Sequence, residues 1–327
     1  MNETVRLQPV DCVEITTLYE NLVDGTMPDV GPAKRLGSKT GTVVSTLMAE
    51  DTRTPLVGGH GLSMQVRVTR NGVTRTLLFD AGGSPDGLVH NLDCLEVHPR
   101  EWNCIVLSHG HWDHTRGLIG LHRRLGRLSY PLILHPDAFL KRAYVTPTGG
   151  LFPLVPPSRR GLRDAGVELI ESEHPSGVVE DMVLVTGQVA RTNEVETGWP
   201  AHRAEHNGAM VPDPLICDDQ GLVIHLRGKG LVVLSGCAHA GIVNTVQYAQ
   251  ALTGIQKVHA VIGGFHLGPT VFHDRIEWVV RTLVALEPAV LCPAHCSGYL
   301  AAYAAYRMRP DAFVPNTVGT QITLAAE

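Results

Sequence analysis

The chain has no apolar run that approaches the roughly 20 consecutive residues a membrane-spanning helix requires. Aromatics are few, 5% against 44% hydrophobic residues overall, a balance ordinary for a soluble globular protein. At 327 residues the chain is long enough for a large core. Cysteine is sparse as well: the seven are odd in number and scattered from Cys12 to Cys296, which excludes a disulfide framework and points to reduced thiols. Neither sign of charge dominates, since 27 Lys and Arg face 32 Asp and Glu, so nothing global suggests nucleic acid as a partner. The local basic clusters, His122-Arg123-Arg124 to Arg127 and Arg159-Arg160 to Arg163, read as solvated surface. Met1 to Arg6 carries no basic segment leading into an apolar core, so the expected location is the cytoplasm. No internal repeat is visible.

Histidine, by contrast, is abundant, with 17 residues. Three of them, with a carboxylate, fall in Ser108-His109-Gly110-His111-Trp112-Asp113-His114, directly after the apolar run Cys104-Ile105-Val106-Leu107. Imidazole nitrogen and carboxylate oxygen are ligands that borderline divalent metals prefer. A tight turn leaving a strand can aim several of them at one point. Chance clustering explains an HxH pair in such a chain more easily than HxHxDH after a buried-type strand.

β-Branched runs at Val13 to Thr17, Leu62 to Thr69, Thr76 to Asp80 and Cys104 to Ser108 read as strands. Asn71-Gly72 is a hairpin signal that joins the second and third. A helix follows at Gly117 to Leu125 and a strand at Pro131 to His135. Residues 145–163 hold four prolines and three glycines and read as a long inserted loop; 191–219, with Trp199, His202, Glu205 and His206, reads as a second, near the same mouth or disordered at the surface. Strands and helices then alternate: Leu222 to Leu226, Leu231 to Ser235, helix Gly241 to Leu252, Val258 to Ile262, helix Arg275 to Leu286, Ala289 to Cys292, helix Tyr299 to Met308 and Val318 to Leu324. Asp274 and Glu277 form a capping-box-like pair before the helix at 275. We expect one composite domain over residues 1–327.

Further ligands must come from later strand ends. Ser235-Gly236-Cys237-Ala238-His239, Gly263-Gly264-Phe265-His266 and Pro293-Ala294-His295-Cys296 each place histidine just past an apolar run. Three repetitions of that arrangement are hard to attribute to packing, although any single one could be a core histidine.

The histidine loop resembles the signature of the metallo-β-lactamase superfamily. That resemblance implies an α+β fold, a four-layer αβ/βα sandwich of two mixed sheets flanked by helices, with one or two metal ions at the sheet edge. It implies that His109 and His111 bind a first metal and Asp113 and His114 a second, that Asp80 orients a ligand imidazole, and that His295 is the last metal histidine. Cys237 falls where many members place a bridging aspartate, so Cys237 or His239 takes that role here, with His239 favoured. The histidine expected some twenty residues earlier has no counterpart; Asp218 or His206 are the substitutes at hand. Gly59-His60-Gly61, Gly236-Cys237-Ala238-His239-Ala240-Gly241, Gly263-Gly264-Phe265-His266 and Pro293-Ala294-His295-Cys296-Ser297-Gly298 are similar to one branch, the dihydropterin ribofuranosyl-aminobenzene phosphate synthase-like metal-dependent hydrolases. Arg116 departs from that branch's usual glycine. It either binds a substrate carboxylate or phosphate or points to solvent, and His60 is a second candidate for substrate binding.

The resemblance implies two zinc ions, with manganese or iron as alternatives. A divalent metal lowers the pKa of bound water to about 7 and polarises carbonyl or phosphoryl oxygen. The expected function is therefore hydrolysis of a small ester, lactone or phosphoester, anionic or neutral, with Asp113 accepting the water proton and His266 serving the leaving group or oxyanion. A metal-dependent synthase or cyclase acting on a pterin-like heterocycle is the alternative within the fold, and a non-catalytic module that binds metal and ligand is the alternative outside it. Cys237 or Cys296 as a nucleophile leaves the ligand loop unexplained. The partner expected is a small molecule, with no nucleic acid or membrane; a homo-oligomer stays open.

Overall fold

In the computed structural model, which describes residues 4–326, two mixed sheets face each other. One has eight strands, in the order Glu168–Glu171, Pro131–Leu134, Cys104–Val106, Val73–Phe79, Ser63–Arg70, Cys12–Tyr19, Thr320–Ala325, Ala33–Arg35. The other has six, in the order Ser176–Val178, Val183–Val185, Gly221–Leu226, Gly230–Ser235, Val258–Gly264, Val290–Ala294. Because successive strand side chains alternate between faces, a buried strand must be apolar on both. Leu77 and Phe79 accordingly enter the core between the sheets while Leu78 meets helices; Val232 and Leu234 point inward, Leu231 and Val233 outward. The outer cores pack the large sheet against helices Pro85–Leu95 and Gly117–Leu125, and the smaller sheet against Ile242–Thr253, Ile276–Val284 and Gly298–Met308. Helix, sheet, sheet, helix is the layering that was expected.

The hairpin at Asn71-Gly72 forms as read, with φ of 50° and 78° at the two turn residues and registered pairs from Met64↔Phe79 to Arg70↔Val73. Other expectations need correction. Residues 145–163 are not a structureless loop: Arg142–Val145 pairs with Leu151–Leu154, and Arg159–Asp164 is helical. Within 191–219, His202–His206 pairs with Ala209–Pro212 and also with Arg142–Val145. The two insertions thus build one four-stranded sheet, stitched by side-by-side backbone pairing between distant segments. The helix near 275 begins at Ile276 after a tight 3₁₀ segment, Thr270–Arg275, and no side chain caps it, so Asp274 and Glu277 form no capping box. Helix Pro85–Leu95 was overlooked although its start is signed: Ser84 Oγ accepts the Gly87 N–H, and proline opens the first turn. Among the described residues, no helix is long and apolar enough to cross a membrane.

Strands Gly230–Ser235, Val258–Gly264 and Val290–Ala294 run parallel, so their C-terminal ends share one edge of the smaller sheet. Four residues just past strand ends have left-handed backbones: Asp80 (φ 60°), Ala238 (54°), His266 (49°) and His295 (48°). The left-handed turn breaks each strand sharply and carries the chain over the sheet edge, at a cost for non-glycine residues of about 1–3 kcal/mol each.

On the opposite side of the large sheet, helices Pro85–Leu95 and Gly117–Leu125 meet at Gly120, where an added Cβ would lie 1.6 Å from the Pro85 carbonyl oxygen. Gly120→Ala should therefore destabilise the fold by about 1–3 kcal/mol, because overpacking outweighs alanine's helix preference. Urea denaturation reads this; an unchanged midpoint would show that the helices do not pack this closely.

Candidate metal centre

Asp80 sits at the root of the histidine loop with no exposed surface. Its carboxylate accepts the Ser108 N–H and the Ser108 hydroxyl, each at 2.7 Å, and the Nδ1–H of His114, also at 2.7 Å. Since the Ser108 hydroxyl donates to Asp80, its oxygen is left to accept from His109 Nδ1, 2.8 Å away. One carboxylate therefore fixes two imidazoles, His114 directly and His109 through Ser108. In both, the nitrogen that faces the centre is Nε2, which carries the lone pair in the neutral ring. Gly236 from the smaller sheet closes over this knot: an added Cβ there would meet Ser108 Oγ at 2.0 Å and Asp80 Oδ2 at 2.7 Å.

Two groups of donor atoms follow from this anchoring. Ligand atoms of His109, His111 and His239 lie within 4.8 Å of one another, and all three residues are buried. His109 Nε2 and His239 Nε2 face each other at 3.2 Å. Ligand atoms of Asp113, His114, Cys237 and His295 form the second group within the same limit. Here His114 Nε2 stands 3.1 Å from Cys237 Sγ, and Asp113 Oδ2 is 3.5 Å from His114 Nε2 and 3.3 Å from His295 Nε2. His295 is oriented as His114 is: Nδ1 lies 2.9 Å from Asn21 Oδ1, an acceptor, which turns the Nε2 lone pair inward.

The donor set fits divalent cations. Nε2 of His111 and His295 and Nδ1 of His239 are buried with no hydrogen-bond partner, a costly state that a bound cation relieves. Burial, then the neighbouring imidazoles, holds His109 and His239 well below the ordinary histidine range, and burial with His202 does the same to His111. All three stay neutral at physiological pH, as ligands must be. Burial alone would raise Asp113, but His114, His295 and His60 around it keep it well below the usual carboxylate range. Burial also opposes charge on His114, and Asp80 and Asp113 overcome it, raising its pKa to about 9, so a cation bound there must displace the Nε2 proton. The Cys237 thiol is pushed well up by burial and by Cys296.

The remaining predicted residues divide. His266 joins the edge: its ring centre is 4.1 Å from that of His239, and its donor atom completes a third group with Cys237 and His239. Burial, then His202, lowers its pKa to about 3, so it is a neutral imidazole with both nitrogens unpartnered. His60 is 55% exposed, with Nε2 3.3 Å from Asp113 Oδ2. Arg116 is not brought to the site: its guanidinium lies 4.5 Å from the Trp112 ring centre, and it lines a separate cavity with Ile119 and Pro156. Asp218 is not in any of the three donor groups; it accepts the Gly110 N–H at 2.8 Å and pairs with buried Arg142 at 2.8 Å, so it braces the loop from beneath. His206 is exposed at the end of its strand and stays out of the cluster.

Sequence reasoning missed three residues. His202, named only as part of a loop, is buried with its ring 5.4 Å from His111 and 4.6 Å from Trp199. Asn21 and Glu20, at the end of the first strand, hold the last histidine; the Glu20 carboxylate accepts the His295 N–H at 3.0 Å, and burial lifts its pKa to about 7. No motif marks either.

This fold and edge cluster define a known class, and comparison bears it out: residues 59–192 match the family model of the metallo-β-lactamase superfamily. The chain belongs to that superfamily. It is 30% identical over 253 residues, 76% of its own length and 84% of the relative's, to 7,8-dihydropterin-6-methyl-4-(β-D-ribofuranosyl)-aminobenzene-5'-phosphate synthase of Methanocaldococcus jannaschii. An uncharacterized protein of the same archaeon is 29% identical over 242 residues, 74% of this chain and 85% of that one. Among solved structures, Tm1679, described as a metal-dependent hydrolase of the β-lactamase superfamily, superposes with a TM-score of 0.71 at 22% identity, covering 96% of this chain and 99% of that one. The last shows the shared fold.

If Asp80 sets both imidazoles, Asp80→Ala should weaken metal binding about 10- to 100-fold. Chelator competition measures this, with Arg116→Ala as an unaffected control. Equal affinity for Asp80→Ala and the parent would remove Asp80 from the site.

Proposed function

We propose that this chain is a metal-dependent hydrolase that cleaves a small ester, lactone or phosphoester. The observation that carries the reading is the pairing of the two buried donor groups, His109, His111, His239 and Asp113, His114, Cys237, His295, along one sheet edge. Two ions held there, zinc by the choice of imidazole, carboxylate and thiolate donors, would lower the pKa of a coordinated water to about 7 and polarise the bond to be cut.

The chain's own residues do the rest. Asp113, held ionised by the histidines around it, is placed to accept a proton on Oδ2, and His60, within 3.3 Å of that oxygen and open to solvent, is placed to carry it away. His266 enters as a neutral imidazole, so its part is to donate an N–H hydrogen bond to developing negative charge rather than to act as a strong acid. Burial keeps Cys237 from acting as a free thiolate nucleophile. In this reading His239, whose ligand atom groups with those of His109 and His111, stands in for the absent bridging aspartate. All seven cysteines are free thiols, which supports a reducing compartment, the cytoplasm.

A second reading is favoured by the 30% identity to a synthase over most of both chains. In it, the same ions act as Lewis acids that join a pterin-like substrate to a partner. Turnover of ester, lactone and phosphodiester panels in ¹⁸O-labelled water separates the two. Hydrolysis places one solvent oxygen in the product; a joined product with no label would replace the first reading with the second.

A further inference from the structure

We propose that the chain has a second ligand site, separate from the metal centre, which takes a small aliphatic carboxylate: Arg116 receives the head and an apolar cavity receives the tail. The site lies between helix Gly117–Leu125 and residues 155–165 of the first insertion, and none of its lining belongs to the donor groups.

The cavity holds about 400 Å³, within the usual range of small-molecule sites. Buried Leu118, Leu128 and Leu162 line it, together with Ile119 from the helix and Val155 from the insertion. These last two are 46% and 62% exposed, large apolar side chains left in water at a cavity that a hydrocarbon tail would fill. Pro156 and Pro157 fix the backbone of the insertion side, so the space does not depend on a mobile wall. Among the described residues, His122 is the one aromatic ring in the lining, so a flat ligand has little to stack on. Branched aliphatic walls suit a flexible chain, whose affinity comes from the apolar area it removes from water.

The head group follows from which polar groups in the lining are still open. The Thr115 hydroxyl donates to the His111 carbonyl at 3.2 Å, and the Ser158 hydroxyl accepts the Gly161 N–H at 3.0 Å, so both are engaged. Among the described residues, no Asp or Glu lines the cavity. That leaves Arg116 and His122, which with Ile119 recur at every third position and so share one side of the helix. Arg116 differs from the other arginines nearby. On the same helix, Arg123 and Arg124 pair with Asp86 and Asp93; on helix Arg159–Asp164, Arg159 and Arg163 pair with Glu171 and Arg160 with Asp164. Among the described residues, Arg116 has no acidic partner, and its guanidinium lies over the Trp112 ring instead, 4.5 Å from the centre. Stacking of that kind holds the group in place and leaves its in-plane N–H donors free, which is the geometry that receives a carboxylate through two parallel hydrogen bonds. The arginine that the sequence offered for an anionic substrate thus serves a cavity of its own.

Isothermal titration calorimetry of the metal-loaded protein with octanoate tests this, against octanamide, which keeps the shape without the charge, and against butanoate and hexanoate. Octanoate should bind saturably and more tightly than octanamide, and affinity should rise about 2- to 4-fold for each methylene added from butanoate to octanoate. Arg116→Ala should weaken octanoate about 10-fold or more by removing the charged hydrogen bonds. Ile119→Asp should weaken it as strongly, because it sets a like charge beside the head and removes apolar wall. Metal content should stay at the parent's level in both variants. Equal binding of octanamide, an affinity that does not grow with chain length, loss of metal in the variants, or parent-like affinity in either of them would overturn the proposal; the last result would place the carboxylate on the metal ions instead.

Discussion

Everything at the sheet edge depends on the hydrogen bonds made by the buried Asp80 carboxylate. It takes the backbone and hydroxyl of Ser108 and the Nδ1–H of His114, and by occupying the Ser108 hydroxyl it sets His109 as well. A side chain with four lone-pair sites and no exposed surface is used here to settle the tautomers of two imidazoles. Without that, His109 and His114 could present N–H instead of lone pairs to the centre. The smaller sheet can approach the knot only because Gly236 has no side chain.

The price of the arrangement is local. Asp80, Ala238, His266 and His295 hold left-handed backbones at the ends of strands, and several histidine nitrogens are buried without partners. Rigid, fully buried strands on either side keep these turns in place. Asn21 and Glu20 reach across from the first strand to secure His295 in the same way that Asp80 secures His114. Asp218 secures Gly110, and Arg142 links Asp218 to the small sheet, so that sheet and the ligand loop share one buried ion pair.

Much of this was legible because chemistry and strand ends coincide in the sequence. Ligand-type residues follow Leu107, Leu234, Ile262 and Cys292 within two to four positions, so an apolar run and its histidine are read together. The layered fold was legible through the likeness of the histidine loop to the superfamily's signature. What was not legible depends on distance: Asn21 and His295 are separated by 274 positions, and nothing local ties them. The strands of the small sheet are four or five residues long, one holds Pro153 at the sheet edge, and the two hairpins join only by pairing between separate segments, so they read as loops. His202 was hidden for that reason, and Arg116 was overvalued because its neighbours in sequence are ligands while its side chain turns to Trp112.

The superfamily scaffold thus sets the ligands, and the two insertions line the cavity in front of them. The central claim is that the two donor groups hold metal together, and metal content per chain tests it most directly. Elemental analysis of the purified protein should find between one and two equivalents, and the double variant His111→Ala, Asp113→Ala should keep almost none. Full loading in that variant would contradict the account.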